Sequence, residues 1–388
     1  MIVRAGILYD GTMDAPRRNV DITIEGTRIA SVQNAAEGGS PALTAACVTP
    51  GLVNAHVHVE MNGQPDTMGA LAQMPQNDRL LHAVETVRKG LNAGVTTVRD
   101  LGSSAGIAIA LRDAINGGLI VGPRMRACGN VLCMTGGHGW FIGRAIDSPW
   151  EARKGVREQL WAGADCIKMM ATGGVLTKGA VPGNAQLLPE ELVAGIDEAH
   201  RHGLRVASHA IGTEGIKNAL RAGIDSIEHG HMLDDEAIEL FKQRGTYLVP
   251  TLTAPTCILE HLEDGTQPQF VLDKARVVNE AMLVNIRRAY EAGVKIAGGS
   301  DAGTPFNFHE NYAYEVELMH TLLGMSPQRA LHAATAVAAE LIGLHRGIVA
   351  AGEPADLLAV AADAGADVRA LRDVRAVLKD GQIVNRAG

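Results

Sequence analysis

Five positions of the chain set metal-ligating side chains at the ends of apolar runs. His56-Val57-His58 closes the run from Val48 to Val59. In an extended strand residues i and i+2 share a face, so both imidazoles project together. Two imidazoles on a rigid strand end begin a site for a divalent transition metal. His209 follows Val206-Ala207-Ser208, His229 follows Ile227-Glu228, and Asp301 follows Ala297-Gly298-Gly299-Ser300. Singly, each has a structural reading as well: Asp301 can cap a helix, and each histidine can be a satisfied core residue. Together they gather four histidines and one carboxylate at run ends. Lys168 lies inside the run Asp165-Cys166-Ile167-Lys168-Met169-Met170. A lysine there needs a salt bridge, a path for its amine to the rim, or loss of its charge. A neutral amine can combine with CO2 to give a carbamate, whose two oxygens can bridge two cations. An ammonium cannot do so, because it offers only donors.

These residues need elements that bring them to one place. From Cys47 onward, short apolar runs alternate with amphipathic segments. The runs read as strands are Val48 to Val59, Thr96 to Leu101, Arg124 to Cys133, Cys166 to Ala171, Arg205 to Ala210, Ser226 to His229, Tyr247 to Thr251 and Lys295 to Ser300. Helical periodicity fills Asp78 to Ala93, Ser148 to Ala162, Pro189 to His202 and Thr213 to Ala222, and continues later through Ser326 to Leu344. Pro149 and Pro189 stand where helices begin; Gly94, Gly163, Gly203, Gly223 and Gly293 stand where they end. Strands separated by helices imply parallel pairing with right-handed crossovers, and eight in succession point to a closed (β/α)8 barrel, with an open doubly wound sheet as the alternative. No GxGxxG follows the first strand, so nothing supports a dinucleotide site. The segments 1–46 and 347–388 instead carry short alternating strands, Gly347 to Val349 among them, with a hairpin turn at Lys379-Asp380-Gly381. They are expected to pair into one small β-sandwich domain beside a barrel spanning 47–346.

Composition narrows the function classes. The 388 residues are 46% hydrophobic and 20% charged, normal for a globular chain with a large core. A net charge of −8 offers no basic field for nucleic acid, and no apolar run is long enough to span a membrane. The expected partner is a small-molecule substrate, and a homo-oligomer is expected. Met1 to Gly6 lacks the regions of a signal peptide. Cys47, Cys128, Cys133, Cys166 and Cys257 form no CxxC pair, so reduced, buried thiols in a cytoplasmic protein are expected.

The motifs, taken in order, resemble the amidohydrolase superfamily. They are Pro50-Gly51-Leu52-Val53-Asn54-Ala55-His56-Val57-His58, Ile167-Lys168-Met169-Met170-Ala171-Thr172-Gly173-Gly174, Ser208-His209-Ala210, Ile227-Glu228-His229-Gly230 and Gly299-Ser300-Asp301. The likeness is greatest to the imidazolonepropionase-like and dipeptidase-like branches, and Gly352-Glu353-Pro354-Ala355-Asp356-Leu357 resembles that superfamily's return to its small β domain. The resemblance implies one divalent metal on His56, His58 and Asp301, a second on His209 and His229, and carbamylated Lys168 bridging them. Zinc is the expected metal from ligand softness, although the donors also suit manganese, cobalt or iron. Two cations would acidify a shared water for attack on a carbonyl, with Asp301 carrying its proton to the leaving nitrogen.

Other residues bear on substrate. Gly136-Gly137-His138-Gly139-Trp140 follows the third run, where His138 can donate to a substrate carbonyl or carboxylate, or simply cap a helix. Trp140 and Phe141 can wall an apolar pocket or pack elsewhere. The dipeptidase-like pattern commonly has a polar residue two places after the fifth-strand histidine, where this chain has Ile211. That departure argues against simple dipeptides. His231 and His309 fall near the expected barrel mouth, and Asp100 is placed to support neighbours. Hydrolysis of an amide-type C–N bond is the leading expectation: an N-acyl amino acid, peptide, cyclic amide or carbamate. Deamination or ester cleavage on the same centre, and a non-catalytic barrel, are the alternatives.

Overall fold

The structure, a computed structural model, describes residues 1–387. Eight parallel strands form a barrel: Leu52–Val57, Val95–Asp100, Arg124–Ala127 continued by Val131–Cys133, Cys166–Met170, Arg205–Ala210, Ser226–His229, Tyr247–Val249 and Lys295–Ile296. Neighbours pair in chain order. The ring closes where the Ala55 N–H donates to the Gly298 carbonyl at 3.0 Å and the Asp301 N–H to the His56 carbonyl at 2.9 Å. The expected (β/α)8 barrel is the observed one.

The helices follow the punctuation in the sequence. Pro149–Ala162 starts at Ser148, whose hydroxyl accepts from the Glu151 N–H at 3.3 Å, and stops at Gly163 in the left-handed region. Thr213–Ala222 buries Ile216, Ala219 and Leu220 against the barrel, each large side chain contributing roughly 1.5–3 kcal/mol of transfer free energy. Two helices not foreseen, Thr253–Glu260 and Gln269–Glu291, lie between the last two barrel strands. No helix among the described residues is long and apolar enough to cross a membrane. All five cysteines are buried and unpaired.

A separate seven-stranded sheet runs in the order Gln382–Arg386, Val374–Lys379, Leu357–Val360, Leu43–Pro50, Ile2–Leu8, Arg17–Glu25, Arg28–Asn34. The two chain ends meet where Leu357–Val360 lies antiparallel to Leu43–Pro50.

Three runs differ from their sequence reading. The run Val48 to Val59 is two strands, because the chain leaves the small sheet at Pro50 and enters the barrel at Leu52. Gly51 permits this crossing: a Cβ there would come within 2.1 Å of the Thr96 hydroxyl. The run Arg124 to Cys133 is broken at Gly129, whose φ of +70° turns the third strand from its second-strand neighbour toward the fourth. Gly347-Ile348-Val349 is not a strand; only the Val349 N–H, donating to the Asp10 carbonyl at 2.8 Å, ties it to the N-terminal segment.

Candidate metal centre

All the candidate ligands stand at or near the C-terminal ends of barrel strands, the face where barrel enzymes assemble their sites. Three residues there have left-handed backbones: His229 at φ +73°, Thr251 at +48° and Asp301 at +58°. Such a conformation costs a non-glycine residue about 1–3 kcal/mol and persists only where surrounding structure imposes it. Its effect is visible at His229. Strand alternation would send Glu228 and His229 to opposite faces, yet both meet His56. Glu228 Oε2 lies 3.0 Å from His56 Nδ1, and the His229 and His56 ring centroids are 5.4 Å apart.

Hydrogen bonds decide which nitrogen of each ring is bare. His56 Nδ1 faces the Glu228 carboxylate and His58 Nδ1 lies 2.9 Å from the Gly102 carbonyl. Both partners only accept, so the proton of each neutral ring sits on Nδ1 and Nε2 is left as a lone pair. Both Nε2 atoms point at Asp301 Oδ1, from 3.3 and 3.2 Å. That oxygen is buried and has no hydrogen-bond partner among the described residues. Two lone pairs and an anionic oxygen, with ligand atoms all within 4.8 Å of one another, repel unless a cation lies among them. The donor set therefore fits a divalent metal.

His209 and His229 adjoin this trio, with ring centroids 4.5 Å apart. His209 Nε2 lies 2.9 Å from the Gly173 carbonyl, which leaves Nδ1 bare, and His229 Nδ1 lies 2.7 Å from the Thr251 hydroxyl, which can hold its proton and free Nε2. Burial pushes both imidazoles well below their ordinary range, the neutral state a ligand needs. Lys168 pairs in register with Ala207, one inward-facing residue before His209. It is 1% exposed, and no hydrogen bond or ion pair reaches its amine among the described residues. Desolvation lowers its pKa, favouring the uncharged amine.

A cavity opens over these residues. His138 lines it, its ring centroid 4.4 Å from that of His209. The Thr177 hydroxyl, 2.8 Å from His138 Nδ1, can donate there and leave Nε2–H as a donor toward the cavity. Burial pushes His138 down to about 3. Gly174 makes room for this ring, since a Cβ would fall 2.3 Å from His138 Nε2. Ile211 is buried in the cavity wall with its N–H held by the Thr172 hydroxyl at 3.0 Å. Phe141 lines the cavity too. Trp140 does not: its side chain is 60% exposed, turned away by the short helical turn Trp140–Ile142.

Several functional neighbours carried no recognisable sequence signal. Glu228 and Arg99 form a fully buried ion pair of 2.9 Å inside the barrel, and Ser226 donates to the same Glu228 oxygen at 2.6 Å. Their period-2 spacing on strands was visible, but their partners were not. Ala254, Pro255, Ile258 and Val278 wall the cavity from the two unforeseen helices. Asp100 holds the Val59 and Gly102 N–H groups at 2.9 and 3.2 Å, fixing the carbonyl that orients His58.

Fold and site together define a barrel hydrolase with a metal-binding centre at its mouth. The Amidohydrolase family model matches residues 47–384, and the chain belongs to that family. It is 31% identical to the ochratoxinase of Aspergillus niger, over 97% of this chain and 84% of that one. It is 27% identical to the imidazolonepropionase of Cutibacterium acnes, over 89% and 84%. Its backbone superimposes with a TM-score of 0.90 on a Xaa-Pro dipeptidase crystallised with methionine in its active site, at 34% identity and 98% coverage of both chains.

Proposed function

We propose that this chain is a binuclear metal-dependent hydrolase of amide-type C–N bonds, acting on small substrates with bulky apolar groups. The observation that carries the reading is the convergence of two bare imidazole nitrogens on a buried, unpartnered Asp301 oxygen. A dipeptidase among the similar structures, an enzyme of peptide bonds by its name, supports amide chemistry. His56, His58 and Asp301 would hold one cation, His209 and His229 a second, with Lys168 bridging them as a carbamate formed from its neutral amine and CO2 with release of one proton. Two divalent cations, zinc first among the candidates, would polarise the scissile carbonyl and acidify the attacking water.

The chain's own residues do the rest. His138 Nε2–H would donate to the substrate carbonyl oxygen. Asp301 is the proton carrier: its carboxylate accepts the proton of the attacking water and returns it to the leaving nitrogen. Phe141, Met170, Ile211, Ile258 and Val278 give the cavity apolar walls. Burying apolar surface there gains about 25 cal/mol per Å2, whereas an unpaired carboxylate costs several kcal/mol.

The test joins metal analysis to a panel of N-acyl amino acids, dipeptides, lactams and aryl carbamates. Wild type is expected to hold about two metals per chain, as a bridged centre requires. Lys168→Ala is expected to hold one or none and to lose activity, with partial rescue by short carboxylic acids. Full activity in Lys168→Ala refutes the carbamate.

A further inference from the structure

Between the strand Cys166–Met170 and the helix Pro189–Arg201 the chain makes an excursion that lines the cavity. Its base is tied where Thr172 bridges to Ala185 and the Gly173 N–H donates to the Asn184 carbonyl at 3.0 Å. The strap beyond, 174–180, forms neither helix nor strand, yet Val175 and Leu176 line the cavity and Thr177 is buried. One side chain from outside holds its backbone. Lys274, on the helix Gln269–Glu291, donates from Nζ to the Thr177 carbonyl at 2.7 Å, the Gly174 carbonyl at 3.3 Å and the Ala180 carbonyl. An ammonium has three N–H groups, and these carbonyls use all of them. Among the described residues no other hydrogen bond from outside reaches this stretch of backbone. Ordering a segment outside regular structure costs conformational entropy. Three charge-assisted hydrogen bonds, with the packing of Val175 and Leu176 against Ile258, Val271 and Leu272, offset it.

The hold extends to His138. Thr177 is gripped through its carbonyl by Lys274 and sets its hydroxyl 2.8 Å from His138 Nδ1. Gly174 lies against the same ring, where a Cβ would fall 2.3 Å from Nε2. Both strap residues that meet His138 are therefore residues whose carbonyls Lys274 holds. We propose that Lys274 is a positioning residue, a clasp that fixes the strap 174–180 against the cavity and thereby holds the His138 ring and the apolar wall of Val175 and Leu176. Its consequence for catalysis rests on the amide-hydrolase reading above, in which His138 meets the substrate carbonyl.

Lys274→Met keeps the stem and removes the donors. Lys178, exposed on the strap, supplies a tryptic site. Cleavage after Lys178, followed by mass spectrometry, is expected to be about tenfold or more faster in Lys274→Met than in wild type, as for a segment released to open locally. Unchanged cleavage overturns the clasp. The catalytic consequence is read by a double-mutant cycle with Thr177→Val, on metal-loaded protein and the best amide of the panel. Alone, Lys274→Met is expected to lower kcat by about ten- to a hundredfold, at most the loss of one carbonyl-polarising donor. In the Thr177→Val background it is expected to cost about threefold or less, because the link to His138 is already cut. Equal losses in both backgrounds, with metal content unchanged, mean a role independent of Thr177 and overturn the positioning role. Lys274→Gln, with two N–H donors and no charge, carries the same cycle if methionine prevents folding. If no amide is turned over, the amide reading fails, and cleavage at Lys178 still decides the clasp.

Discussion

Replacing Glu228 by glutamine removes one charge from the middle of the barrel and keeps the shape. Its carboxylate is fully buried, 2.9 Å from the Arg99 guanidinium and 3.0 Å from His56 Nδ1. Two consequences can be separated. Arg99, itself 2% exposed, loses its counter-charge, and breaking a buried pair on one side costs about 3–5 kcal/mol. Unfolding entropy of about 2.1 cal/mol/K per residue gives roughly 0.8 kcal/mol/K for this chain, so Tm should fall by about 4–6 °C if the barrel unfolds as one unit. His56 also loses the anion that fixes its tautomer, and losses of this kind lower metal affinity by about 10–100-fold. Thermal unfolding of the metal-free protein reads the first effect, and chelator competition reads the second. The double variant Arg99→Met/Glu228→Gln removes the stranded charge, so it should recover stability while metal affinity stays low. A Tm within 1 °C of wild type (well below the ~4 °C expected), with unchanged chelator competition, would refute the reasoning.

Two further outcomes follow from other parts of the structure. Asp301→Asn keeps a ligating oxygen but cannot carry a proton, so kcat should fall by roughly two to three orders of magnitude. Metal content measured on the same sample separates that loss from lost binding, and turnover within a few-fold of wild type with metals retained would assign the proton to another group. Burial raises the thiols of Cys47 and Cys133 to about 11 and of Cys166 and Cys257 to about 12. At pH 8 less than about one in a thousand is then thiolate, so native protein should resist alkylation and should react only as pH approaches 11 or on unfolding. Rapid labelling at pH 8, read by mass spectrometry, would contradict this.

The sequence by itself determined the barrel, its strand order and the identity of the metal-ligand candidates. The reason is local: strand alternation, helix caps and the polar residues ending each apolar run are encoded within a few residues. His56 and His58 share a face because of β geometry alone, and Lys168 stands out because an apolar strand tolerates a lysine only for cause. Pairing between remote segments was settled by packing. Gly51 divides one apolar run between two sheets because Thr96 approaches its Cα, and that contact spans a whole helical crossover. His229 turns inward beside Glu228 because its own backbone is left-handed, which no period-2 pattern shows. Trp140 points outward and His231 inward for the same kind of reason. Sequence periodicity assigns a face, but only neighbours far along the chain decide whether that face meets solvent, a buried charge or an open cavity.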